Sequence, residues 1–243
     1  MKNLTGAPVI FELNPYEQHK YQMHQLGAKA NAANGDIYRY ARLASDVSAG
    51  YLLTALTKEA LHVNLTVAVS NAVGDEKVVL DVGATAVDAN EYDEGTLVFN
   101  DNSPEGEWYT ITAHEANAGS LETDIFVSPA LRTATVADSS QASLYRNPWM
   151  RPAVSQLLTV PVAGVTVQDW DYSENAYGWI KTRGYASVLS DTTGTTYGNT
   201  VTVSSQTNGA VGAKASNSVE PIVGRSMNTG TAGEFNGIYL LID

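Results

Sequence analysis

The sequence predicts an all-β protein: an N-terminal extended arm followed by two small β-barrel or sandwich units. Three observations lead there. Only 16% of the 243 residues are charged, against about a quarter in an ordinary globular chain. That leaves too few Lys and Glu to clothe the solvent faces of many helices. Gly, Ser, Thr and Asn fill the gap, the composition of strands and turns. Short apolar–polar alternations then recur along the chain, each bounded by turn residues. At this length folding buries roughly three quarters of the chain's surface, so a core forms without disulfide or metal staples.

Residues 1–35 form the opening stretch. Asn14-Pro15-Tyr16-Glu17 has the residues of a helix start, with Asn as cap, Pro first and Glu three after the cap. No apolar stripe follows, and an extended arm is the reading adopted. From Asn34-Gly35, a tight-turn dipeptide, strands are expected over 37–43, 51–53, 63–69 and 77–82. Further strands are expected over 96–99, 108–113, 125–127 and 143–145. These make a β domain over 36–165. A loop rich in Pro and aromatics, Arg146-Asn147-Pro148-Trp149-Met150-Arg151-Pro152, leads towards a boundary before Asp171. A small C-terminal β-barrel is expected over 166–243. Its strands would be 178–182, 186–189, 200–204, 220–226 and 238–242, with turns at Asn208-Gly209 and Asn236-Gly237.

Charge narrows the partners. Lys and Arg number 14 against 26 Asp and Glu, a net charge of −12. Such a chain repels nucleic acid and anionic headgroups, so neither is expected as a partner. No run approaches the roughly 20 apolar residues of a membrane span. The start, Met1-Lys2-Asn3-Leu4-Thr5-Gly6-Ala7-Pro8, lacks the apolar core of a signal peptide. With no Cys, thiol nucleophiles and thiolate metal sites are excluded. The acids are also clustered: 75–124 holds 13 of them and a single base, Lys77. That window carries the whole net charge, and the neutral remainder, rich in Tyr and small residues, is where protein contacts form most readily.

Chemistry-bearing motifs are few. There is no Gly-x-Ser-x-Gly elbow, Walker loop, Gly-x-Gly-x-x-Gly or His-Glu-x-x-His. Asp191-Thr192-Thr193-Gly194 is one residue too long for an aspartic-protease loop and reads as a turn. His19 and His24, five apart, share no regular face, and His62 and His114 are isolated. A zinc site is therefore not expected. Asp88-Ala89-Asn90-Glu91-Tyr92-Asp93-Glu94-Gly95 invites a calcium reading, but Tyr92 stands at the third ligand position, and a solvated acidic loop is preferred. Trp170, between Asp169 and Asp171 with Tyr172 next, would stack a sugar or, preferably, anchor a subunit contact. No catalytic, cofactor-binding or metal residue is assigned.

Several segments, in order, resemble the capsid decoration (head-stabilising, cement) proteins of tailed bacteriophages. They are Leu26-Gly27; Gly35-Asp36-Ile37-Tyr38-Arg39-Tyr40-Ala41; Glu94-Gly95-Thr96-Leu97-Val98-Phe99-Asn100; and Glu107-Trp108-Tyr109-Thr110-Ile111. Pro129-Ala130-Leu131 and Arg146-Asn147-Pro148-Trp149 follow. The nearest matches are Tyr177-Gly178-Trp179-Ile180-Lys181-Thr182-Arg183-Gly184 and Ile222-Val223-Gly224-Arg225. The close, Gly230 to Gly233-Glu234 and a terminal apolar strand, is also similar. Residues 75–93 match nothing in the family pattern.

The resemblance implies a non-enzymatic structural virion protein, made in the host cytoplasm and bound to the outer surface of the capsid. Its partners would be the major capsid protein and itself, as a homotrimer on local threefold seams. An acidic protein is repelled from a DNA-filled lumen, which places 75–124 towards solvent. The neutral arm would lie across neighbouring subunits. Two alternatives stay open: a head-fibre or receptor-binding module contacting host glycan through Trp170 and Tyr172, and a glycan-acting enzyme using two carboxylates of the acidic window.

Overall fold

A computed structural model describes residues 14–118, 122–154, 158–215 and 219–243. The protein is all-β. Its described residues form sixteen strands and one short 3-10 turn, Ala60–His62. None of the described helices is long and apolar enough to cross a membrane.

The chain divides into two compact units. The first joins Met1–Leu56 to Pro148–Asp243, and the second is Thr57–Asn147. The first unit contains β1 (Gln18–His19), β2 (Lys29–Asn31), β3 (Ile37–Arg42) and β4 (Leu52–Thr54). After the second unit it resumes with β11 (Val162–Thr166), β12 (Tyr177–Leu189), β13 (Thr200–Val203), β14 (Val211–Ala213), β15 (Ile222–Ser226) and β16 (Phe235–Leu241). These make one ten-stranded sheet, ordered β14-β13-β15-β16-β12-β11-β4, with β1 and β3 also on β12 and β2 on β3.

The long strand β12 organises this sheet. Residues 177–183 pair with β3, and 183–189 pair with β16. The change of partner falls at a register shift between Lys181 and Arg183, followed by Gly184 at φ +99°. Glycine adopts that conformation without a Cβ penalty, so one continuous strand stands where two were expected. Its inward side chains feed apolar clusters on both stretches: Trp179 packs with Tyr38, Tyr40 and Met150, and Val188 with Val201, Val223, Ile238 and Leu240.

The second unit is a closed antiparallel barrel, β10-β5-β6-β9-β8-β7. Its strands are β5 (Leu65–Val67), β6 (Lys77–Asp81), β7 (Thr96–Asp101), β8 (Trp108–His114), β9 (Glu122–Ser128) and β10 (Gln141–Tyr145). Period-two alternation sends Leu97 and Phe99, Tyr109 and Ile111, and Ile125 and Val127 into one core. Closure leaves no sheet edge to protect.

Two expectations change. The linear division at 35/36 and 165/166 gives way to nesting, because β11 pairs with β4 as though the barrel between them were a loop. The strands expected to close a C-terminal barrel over 166–243 instead share an open sheet with β3, β4 and β11. In the arm, 1–13 lie outside the described residues. Within 14–35, two short strands tie the chain to its own unit, β1 against β12 and β2 against β3, with turns and bends between them. Asn14 Oδ1 accepts from Tyr16 N at 3.1 Å, which makes Asn14-Pro15 a turn and not a helix start.

Candidate functional site

The β12 bulge builds the most distinctive polar feature of the first unit. At Gly184 a Cβ would stand 1.8 Å from Asp36 Oδ1, so the missing side chain is the space the carboxylate occupies. Lys181 Nζ donates to Asp36 Oδ2 at 2.5 Å and also to Tyr185 O, and lies 5.6 Å from the Tyr38 ring centroid. Both ion-pair partners are buried. Burial, with Asp36 beside it, raises the Tyr38 phenol to about 12.

Above this pair opens a cleft of about 570 Å3. Tyr38, Lys181, Thr166, Ala186 and Ser187 are among the residues that line it. Tyr16, Tyr185 and Phe235 add exposed rings to the lining. Chemically its lining is near neutral: a cation already matched by a carboxylate, flanked by aromatic rings and hydroxyls.

None of these residues was singled out from the sequence for chemistry. Asp36, Tyr38 and Lys181 do fall inside the quoted Gly35–Ala41 and Tyr177–Gly184 strings, which the fold makes neighbours through the β3–β12 pairing. The signal available was Gly184 between two strand-like runs.

The residues that were singled out prove structural. Trp170 is buried, with Nε1 donating to Asn175 O at 2.7 Å. Gly178 leaves room for its ring. It is therefore open neither to a sugar nor to a subunit; Tyr172 alone remains partly exposed. Asp191 is buried, and its Oδ1 accepts from Thr193 N and Oγ1 at 2.9 and 2.6 Å while Oδ2 accepts from Ser204 Oγ. Asp191-Thr192-Thr193-Gly194 is thus a turn pinned by its own aspartate.

In the 88–95 loop, Glu91 is spent on Arg146 Nε and Nη2 and on Asp88 N, and Tyr92 is fully buried. No group of three metal-ligating side chains occurs among the described residues. The histidines do meet neighbours. His19 Nδ1 lies 3.2 Å from Tyr40 Oη, and the His24 ring stands edge-on to Tyr40. Burial, then His19, lowers the pKa of His24. The 20–25 turn brings the two together, which their spacing on a regular element would not.

In the barrel, His62 Nδ1 is 2.5 Å from Tyr92 Oη, and Tyr92 N donates to His114 Nε2 at 3.0 Å. His114 Nε2 is therefore the unprotonated nitrogen, leaving Nδ1–H to donate to Glu115 O at 3.1 Å. On the acidic surface, the Tyr109 hydroxyl, aided by Thr133 and Arg132, holds Glu107 below the usual carboxylate range. A general acid needs the opposite shift.

Charge is divided between the units. Residues 57–147 hold 15 acids and 4 bases, net −11, which leaves −1 for the first unit. Compared with protein-family models, with curated proteins and with solved structures, the chain matches none.

Proposed function

We propose that the chain is a structural virion protein, a decoration or cement protein that binds the outer surface of a tailed-phage capsid and stabilises it. The observation that carries this reading is the division of charge: one unit at −11 and one near neutral. The near-neutral unit is suited to burial against the major capsid protein, since desolvating unmatched charge is what makes association costly. It also carries exposed Tyr197, Ile222 and Leu241. The acidic barrel is suited to solvent outside a shell packed with DNA, from which like charge excludes it.

The resemblance adds weight. Its nearest-matching segments form β12 and β15 of the near-neutral unit. A homotrimer on threefold seams belongs to the same reading. Stabilisation follows from mass action, because a ligand that binds only the assembled shell shifts the balance towards it.

The test is the copy number of this chain relative to the major shell protein, by quantitative mass spectrometry on purified particles from its source. Parity, or a simple fraction such as one trimer per seam, is expected. A handful of copies, or none, overturns the proposal.

A further inference from the structure

The cleft of the first unit supports a second activity, one that goes beyond decoration and stands without it. Tyr16, Tyr185 and Phe235 are 61%, 63% and 49% exposed. Exposed rings forgo the burial free energy that places most aromatics in cores, and these three converge on one cleft. Two of the three are held by strand backbone. Tyr185 and Phe235 belong to adjacent strands paired along their length. Tyr16 sits in the Asn14 turn, where Gln168 Nε2 donates to Tyr16 O at 2.7 Å. At Gly50 a Cβ would approach the Phe235 ring to 2.7 Å, so the cleft wall depends on that glycine. Sites built on such rigid elements hold their geometry better than loops do.

The lining discriminates between ligand classes. Among the described residues Lys181 is the only charged side chain in the lining, and Asp36 already matches that cation at 2.5 Å. A phosphate or carboxylate thus finds no spare positive charge, and a cation meets a carboxylate that is engaged. A lipid chain needs aliphatic walls, and beyond Val167 only alanines supply them. Rings together with the hydroxyls of Tyr16, Tyr185 and Ser187 suit a ligand with apolar C–H faces and polar edges. The volume, about 570 Å3, lies within the range of small-ligand sites. We propose that this cleft binds a neutral saccharide, with sugar rings stacked on Tyr185 and Phe235 and Tyr16 supplying a third aromatic face.

The test is saturation-transfer-difference NMR on the intact protein with maltotriose, cellotriose, laminaritriose and tri-N-acetylchitotriose at millimolar concentration. Transfer to the ring protons of at least one is expected. Affinity should fall about tenfold in Tyr185→Ala and in Phe235→Ala, the loss of one stacking contact. Tyr197→Ala, at a ring 67% exposed and outside the cleft lining, should bind as the parent does. Tyr185 and Tyr197 are mostly exposed, and Phe235 is half-buried against Tyr51, so melting curves read alongside separate lost binding from lost fold, and Tyr185→Ala should keep the parent transition. No transfer from any of the four sugars overturns the proposal, as does undiminished binding in the Tyr185→Ala/Phe235→Ala double variant. Neither result bears on the copy number in particles.

Discussion

At Gly184 a single missing methyl decides three things: the turn of β12 between partners, the seat of Asp36 and the geometry of Lys181. Its φ of +99° is strained for any L side chain, and a Cβ there would overlap the Asp36 carboxylate. Gly184→Ala should therefore cost at least about 2 kcal/mol, from backbone strain and a displaced buried ion pair together. Denaturant unfolding measures it; a midpoint equal to the parent's would refute this account of the bulge. Gly35→Ala is the contrast, because a Cβ there meets nothing within 4 Å, leaving only the strain of φ +87°. Trp170 teaches the complementary lesson. Its polar neighbours suggested an exposed ring, yet alternation argues the reverse. With Asp169 accepting from Ala49 N and Asp171 from Ser173, both carboxylates stay on the exposed side and the residue between them turns inward. That placement was legible in Asp-Trp-Asp had period two been weighed above composition.

Elements were more legible than sites. The strands expected from alternation occur, with ends shifted by a few residues, because each has one wet and one dry face. The strands missed are β1, β2, β11 and β14. β1 and β2 carry weak apolar patterns, and β11 and β14 are interrupted by Gly164 and Gly212. Side chains of β2, β11 and β14 do reach the cores, as Ala30, Ala163, Val165 and Val211 show, but runs this short make no readable alternation. Gly212 is required there because a Cβ would meet Asp191 Oδ2 at 2.4 Å. One tie between elements is also pH-dependent. Arg39 of β3 donates from Nε and Nη2 to the Asp243 carboxylate just past β16, both at 2.6 Å. Arg39, then Thr182, holds the Asp243 carboxyl below its ordinary value. A depressed carboxyl contributes stability above its unfolded pKa, near 4, and loses it as pH falls through the folded value. Asp243→Asn should thus lower the melting temperature at neutral pH, with the gap to the parent closing on acidification below about pH 4. Thermal melts across that range check this, and a gap independent of pH would count against the pair.

For the molecule as a whole, the charge split was legible almost in full. The acids of 75–124 all fall in the barrel. The nesting was not, since nothing local to 52–54 or 162–166 announces that they will pair. The barrel's net −11 repels itself, whereas the first unit at −1 scarcely does. Raising ionic strength from roughly 0.01 M to 0.15 M shortens the screening length from about 30 Å to about 8 Å. Hydrogen exchange should then slow in peptides from 57–147 and change little elsewhere. An equal response in both units would refute the assignment of the repulsion to the barrel.

β4 and β11 pair although the whole second unit lies between them in sequence. Arg146 Nη1, near the end of the second unit, donates to Thr57 O at its start, 2.7 Å away, so the two ends of the barrel are fastened together. Each unit thus completes its own pairing: the sheet across the insertion point and the insert between its own two ends. Because lengthening a loop costs only about 0.6 kcal/mol per doubling, the sheet is indifferent to the size of what it carries. Any folded cargo whose two ends lie equally close could be spliced between Leu56 and Pro148, which makes this sheet a ready-made display scaffold.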